Sequence, residues 1–134
     1  MTESILRPAL AADPRLVAGF TTRVFSPADE GLAAARARLG DATGLPIASV
    51  GQVHGADVAT VREAGHVEAH DGLVTDRPGL LLSVIAADCA LVLLADAEAG
   101  VVGACHSGWR GTVAGIVGET VQAIAAGDLD GDNY

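Results

Sequence analysis

The chain has 134 residues, enough for one domain whose core takes up roughly two-thirds of the unfolded surface. Half of it is apolar but only 3% is aromatic, so the core must be assembled from Ala, Val, Leu and Ile. The net charge is −9, from 17 acids and 8 bases, and every base is Arg. The lack of Lys excludes a Schiff-base or P-loop lysine, and the acidic balance argues against a nucleic-acid partner.

The first stretch, residues 1–16, lacks periodicity and reads as an arm or an edge strand. It carries acids and two prolines and no apolar run of the kind a secretory leader needs. Asp88 and Asp96 interrupt the longest apolar stretch, so no membrane span is expected. A reducing, cytoplasmic setting follows as the expectation, with Cys89 and Cys105 both free thiols.

Val17 to Thr22 predicts a short strand. Ser26-Pro27-Ala28-Asp29 predicts a helix start, with Ser as N-cap, Pro at the first helical position and an acid at the third. That helix runs through an Ala/Arg/Leu segment to Leu39, and Gly40, Gly44 and Pro46 close it. Short strands follow at Ala48–Val53 and Asp57–Val61, with a kink at His54-Gly55, and another at Leu73–Thr75. Asp76-Arg77-Pro78-Gly79 is a turn. Leu80–Ala87 and Ala90–Ala95 are nearly unbroken apolar runs, the pattern of strands buried on both faces. Asp96 to Gly100 reads as a hairpin loop and Val101–Cys105 as the next strand. Thr112–Ala126 predicts one helix with Val113, Ile116, Val117, Val121 and Ile124 on its apolar stripe. Strands bracketed by helices make a layered α/β (α+β) domain. The tail from Asp128 to Asn133 is no calcium loop: Gly131 is its fourth residue, where an EF-hand needs Gly at the sixth.

Polar residues of chemical interest fall at strand ends, where layered α/β proteins tend to bind ligands. They are His54, Cys89, His106 and, just beyond, Ser107-Gly108-Trp109-Arg110-Gly111. Two His and one Cys are a sensible zinc set that leaves a fourth position open. Standing 35 and 17 positions apart, the three form no local zinc signature, and a small buried thiol with two satisfied strand-end histidines accounts for the same residues. The strand, glycine turn and helix start at 106–111 form an arrangement that favours anions, and Arg110 could add a two-pronged contact to phosphate or carboxylate. Asp57, Asp71 and Asp88 are candidates to orient a ligating His, or are plain turn acids. His66 and His70 read as solvent-facing residues of a polar connection. Cys105 points away from His106 across the sheet and reads as core. Trp109 is either a platform for a planar base or a packing anchor.

Four ordered segments carry a family resemblance: Gln52-Val53-His54-Gly55-Ala56-Asp57-Val58, Asp71-Gly72-Leu73-Val74-Thr75-Asp76, Ala87-Asp88-Cys89-Ala90, and Gly103 to Gly111, which includes HSGWRG. Together they resemble the YfiH/polyphenol oxidoreductase family. The resemblance implies a mixed-sheet α/β/α fold and a zinc ion held by His54, Cys89 and His106. It also implies phosphorolysis of adenosine, inosine, guanosine or methylthioadenosine to free base and sugar 1-phosphate, with adenosine deamination beside it. Arg110 would then stabilise phosphate or the developing negative charge. The partners implied are a purine nucleoside and phosphate, and an oligomer is left open.

Two departures qualify this. Family members continue past the last helix, so residues 1–134 read as a single YfiH-like domain incomplete at its C-terminus. The Gly- and Ser-rich loop expected after Thr21-Thr22-Arg23 is shortened. Three rival readings stay open: a copper-dependent laccase, a hydrolase or deamidase using Cys89 and His106, and a zinc-binding module without turnover. Copper is the weaker choice, because four imidazoles are too few for a multicopper set and the only Met is Met1, although Gln52 could stand in as an axial ligand.

Overall fold

A computed structural model describes residues 5–22, 25 and 30–126, in two compact units, 1–45 and 46–134. The predicted helix start at Ser26 to Asp29 lies outside the described residues, as does the acidic tail.

In the first unit, β1 (Ile5–Leu6) pairs antiparallel with β2 (Phe20–Thr21). Helix α1 (Leu32–Thr43) runs through Gly40 and stops where Gly44 turns left-handed, at φ 68°. The Gly44 N–H returns to the Gly40 carbonyl at 2.8 Å, closing the last turn as a C-terminal glycine does. The Arg38 guanidinium donates to the Phe25 carbonyl and pairs with Glu30.

The second unit has two sheets. Strand β3 (Ile47–Gly51) lies between β5 (Gly65–Glu68) and β7 (Leu81–Ser83), all parallel. The other sheet has the order β4 (Val58–Thr60), β6 (Gly72–Thr75), β9 (Val101–Ser107), β8 (Ala90–Asp96). Its β4–β6 pair is parallel and the other two pairs are antiparallel. This is the α+β, mixed-sheet architecture expected. Strand alternation sets the layers. Leu73 and Ala104 join Ala48, Val50, Ala59 and Val61 in one buried cluster between the sheets. Val74 and Val101 pack with Ile124 on the helix side.

The last helical segment is two helices, not the single one expected. Helix α2 (Trp109–Ala114) ends at Gly115, whose φ of 91° breaks the spiral, and α3 (Ile116–Ala125) starts there. The break changes the buried stripe. Ile116, Thr120 and Ile124 face the sheet, while Val113 is 83% exposed. Two glycines let α3 lie close: a Cβ on Gly72 would stand 2.9 Å from Thr120 Oγ1, and one on Gly103 2.9 Å from Ile124 Cδ1.

Other expectations need correction. Neither Leu80–Ala87 nor Ala90–Ala95 is buried on both faces. β7 and β8 are edge strands and only partly covered, and the fully buried strand is β6. The supposed polar connection holds β5, an exposed edge strand. His66 there faces Ser49 across the ladder, its Nδ1 2.8 Å from Ser49 Oγ and its Nε2 3.1 Å from Glu68. Among the described residues no helix is long and apolar enough to cross a membrane.

Candidate functional site

The site grows from the ends of β3, β6 and β9. Asp71 precedes β6 by one residue and His106 is the penultimate residue of β9. The pairing of Gly72 with Cys105 sets these two opposite each other. The His106 N–H donates to the Asp71 carbonyl at 2.7 Å, and His106 Nδ1 lies 2.9 Å from Asp71 Oδ2. An ionised carboxylate accepts here, so Nδ1 carries the proton and Nε2 is the nitrogen left for a ligand.

The Asp71 side chain is fully buried and gathers a second set of donors. The N–H groups of Val53 and Gly55 point to Oδ1, each at 2.9 Å, and that of His54 to Oδ2 at 3.0 Å. This explains the kink after β3. His54 adopts φ 64°, a conformation costing a non-glycine residue about 1–3 kcal/mol, and the carboxylate offsets that cost by collecting three successive amides. Burial alone would raise the Asp71 pKa. The Gly55 amide, the His106 imidazole and the Val53 and His54 amides outweigh it and hold the carboxyl below its usual range.

Cys89 reaches the same place from the loop between β7 and β8. A Cβ built on Gly108 would stand 3.1 Å from Cys89 Sγ, 3.3 Å from His54 Nδ1 and 3.6 Å from His106 Cε1. The two imidazoles meet edge to face, with ring centroids 5.0 Å apart. Thus the three side chains surround one small space, which exists because residue 108 has no side chain. Gly108 has φ −71°, open to any residue, so its value here is room and not backbone freedom. Among the described residues no three His, Cys, Asp or Glu side chains are already drawn in as a metal site. A zinc ion is held by such N and S donors at about 2.0–2.3 Å. The donor types and their common cradle fit zinc.

Cys89 is a half-buried free thiol, and Cys105 is free and fully buried. Partial desolvation and the adjacent Asp88 carboxylate, whose Oδ1 is 3.7 Å from Sγ, push the Cys89 pKa up. Cys105 sits on the helix side beside Thr120, as core. Arg110 does not join the other three. It is exposed, with its guanidinium carbon 5.1 Å from the centre of the Trp109 ring. Trp109 is 74% exposed, so it anchors no packing. The six residues of α2 are too few for the anion-binding helix start expected from the strand, glycine turn and helix at 106–111. Thr112 fills that turn, donating to the Gly108 carbonyl at 2.7 Å.

Residues 25–132 match the family described as multi-copper polyphenol oxidoreductase laccase. The chain belongs to this family. A protein named purine nucleoside phosphorylase from Deinococcus radiodurans is 48% identical over 92 residues, which is 66% of this chain and 36% of that protein. Another protein of that name from Streptomyces griseus is 52% identical over 79 residues, 56% of this chain and 32% of the relative. The chain therefore spans about a third of the curated relatives it matches. Two solved relatives carry the same fold. YlmD from Geobacillus stearothermophilus has 37% identity and a TM-score of 0.63, over 66% of this chain and 38% of that one. YfiH from Bacillus licheniformis has 28% identity and a TM-score of 0.66, over 72% and 41%.

Sequence reasoning missed Gln52 as a structural group. Its side-chain amide exchanges two hydrogen bonds with the backbone of Ile85, at 2.7 and 2.8 Å. The available signal was a long amide directly after an apolar strand. Asp57 acts through its backbone, its carbonyl accepting from the N–H groups of Asp71 and Gly72.

Proposed function

We propose that this family member carries the metal-holding part of a purine nucleoside phosphorylase site, with zinc bound by His54, Cys89 and His106. One observation carries the reading: three donors of the kinds zinc prefers surround the space left free at Gly108. Asp71 supports it by holding His106 as the tautomer with a free Nε2, the arrangement common behind metal-bound histidines. When bound, zinc would supply Lewis acidity. Arg110 would hold phosphate through its planar fork, and the exposed Trp109 ring would stack on a purine. The proposed substrates are adenosine, inosine, guanosine and methylthioadenosine, with adenosine deamination as a side activity. The names of the relatives support this reaction class, and two free cysteines suit a cytoplasmic setting.

Copper is the weaker metal, since four imidazoles are too few for a multicopper set and the only Met is Met1. Cys89 as a free nucleophile is disfavoured as well, because a catalytic thiolate needs a lowered pKa and this one is raised.

The test is incubation of the zinc-loaded chain with inosine or adenosine, with and without phosphate. Phosphate-dependent release of hypoxanthine or adenine, lost in Cys89→Ala, is the expected result. Release that survives Cys89→Ala would sink the zinc-centred reading. Zinc bound with no release leaves a metal-binding module.

A further inference from the structure

Asp71 ties two of the three candidate ligands together, joining the His54 turn to His106. Nothing in that arrangement reaches Cys89, which arrives from a different loop. The loop from Ile85 to Asp88 is exposed and lies outside the ladder that β3 and β7 form. That ladder has a fixed register, Ile47 with Leu81, Ala48 with Leu82 and Ser49 with Ser83, and it stops there.

Gln52 takes over where the ladder ends. Its Nε2 donates to the Ile85 carbonyl at 2.7 Å, and the Ile85 N–H donates to its Oε1 at 2.8 Å. A side-chain amide thus satisfies both the N–H and the C=O of one residue, with one of its two N–H donors and its oxygen. Gln52 stands two positions before His54, and Ile85 four positions before Cys89. We infer that Gln52 is a positioning residue that fixes the Cys89 loop against the His54 turn, and so sets the third ligand in place. This rests on the zinc reading proposed above, and it assigns Gln52 no contact with metal or substrate.

The test uses the full chain as wild type, Gln52→Met, Cys89→Ser and the double variant. Gln52→Met keeps the length and volume of the side chain and removes both hydrogen bonds. Zinc affinity is measured by competition with a chelator, and the thiolate-to-cobalt charge-transfer band is read after loading with Co(II). Gln52→Met should bind zinc several-fold more weakly than wild type, with a weakened thiolate band. In the Cys89→Ser background the same change should cost little more, because the residue it positions has gone.

Unchanged affinity and band in Gln52→Met would overturn the inference. So would an equal loss in both backgrounds, which would mean Gln52 acts through His54 or the fold at large. If Gln52→Met does not fold, Gln52→Glu, which keeps only the acceptor, is judged by the same readings. A wild type without a thiolate band removes the zinc reading instead. The inference is then decided on the metal-free chain, where Gln52→Met should speed alkylation of Cys89 several-fold and an unchanged rate overturns it.

Discussion

Asp71 and His106 are cross-strand neighbours joined twice, once by backbone at 2.7 Å and once by side chains at 2.9 Å. The same carboxylate holds the three amides of the His54 turn. Asp71→Asn keeps the shape but turns an NH2 group toward donors, leaving buried N–H groups unmatched. We expect a loss of about 1.5–3 kcal/mol of stability, the range for hydrogen bonds to a charged acceptor, read by urea denaturation. A loss below about 1 kcal/mol would show that the carboxylate organises little.

The pH dependence follows from the same group. Its folded pKa lies below the unfolded value of about 4. Its contribution is therefore complete above that value and fades as pH falls through the lower, folded one. Denaturation midpoints for the wild type should drop below about pH 4, and Asp71→Asn should flatten that drop. An identical acid limb in both proteins would assign it to other carboxylates.

How much of this was legible in the sequence depends on what each residue does. His54, Cys89 and His106 stood out at strand ends and in the segments that carry the family resemblance, and their side chains lie around the space at Gly108. The packing role of Cys105 followed from strand alternation. What stayed hidden depends on pairing partners far along the chain. β5 has the composition of a loop, yet Ala48 to Gly51 give it a ladder. The break at Gly115 cannot be read from an apolar period that runs straight through it. Gln52 could not be understood without knowing that Ile85 ends up beside it.

Gly108→Ala is a sharp test of the cradle. Its backbone angles suit alanine, so the fold should keep its stability within about 0.5–1 kcal/mol, while the new methyl intrudes among Cys89, His54 and His106. Zinc affinity should fall at least tenfold, while the melting temperature of the metal-free chain shifts by only a few degrees. Retained affinity would place the ion, if any, elsewhere.

The raised Cys89 pKa predicts slow alkylation of the metal-free chain at neutral pH, with the rate climbing only above the ordinary thiol range. Cys105 should stay unreactive until the chain unfolds, since it is fully buried. Fast labelling of Cys89 at pH 7 would contradict the assigned environment and revive a thiolate nucleophile.

Helix α3 offers a contrast within one element. Ile116 is fully buried and Val121 is 45% exposed. Ile116→Ala should cost about 2–5 kcal/mol through lost burial and a residual cavity, while Val121→Ala should stay near 0.5 kcal/mol. Thermal or urea unfolding distinguishes the two, and equal costs would mean the helix is rotated from the orientation described.

Strand β9 presents its sulfur to the helix and the very next side chain to the opposite layer. Scaffold and chemistry are thus separated by the thickness of one ribbon. Mutational drift can rework the greasy side without disturbing the polar side, so long as the zipper with Gly72 stays aligned. A shift of a single rung would exchange imidazole for thiol and undo both at once.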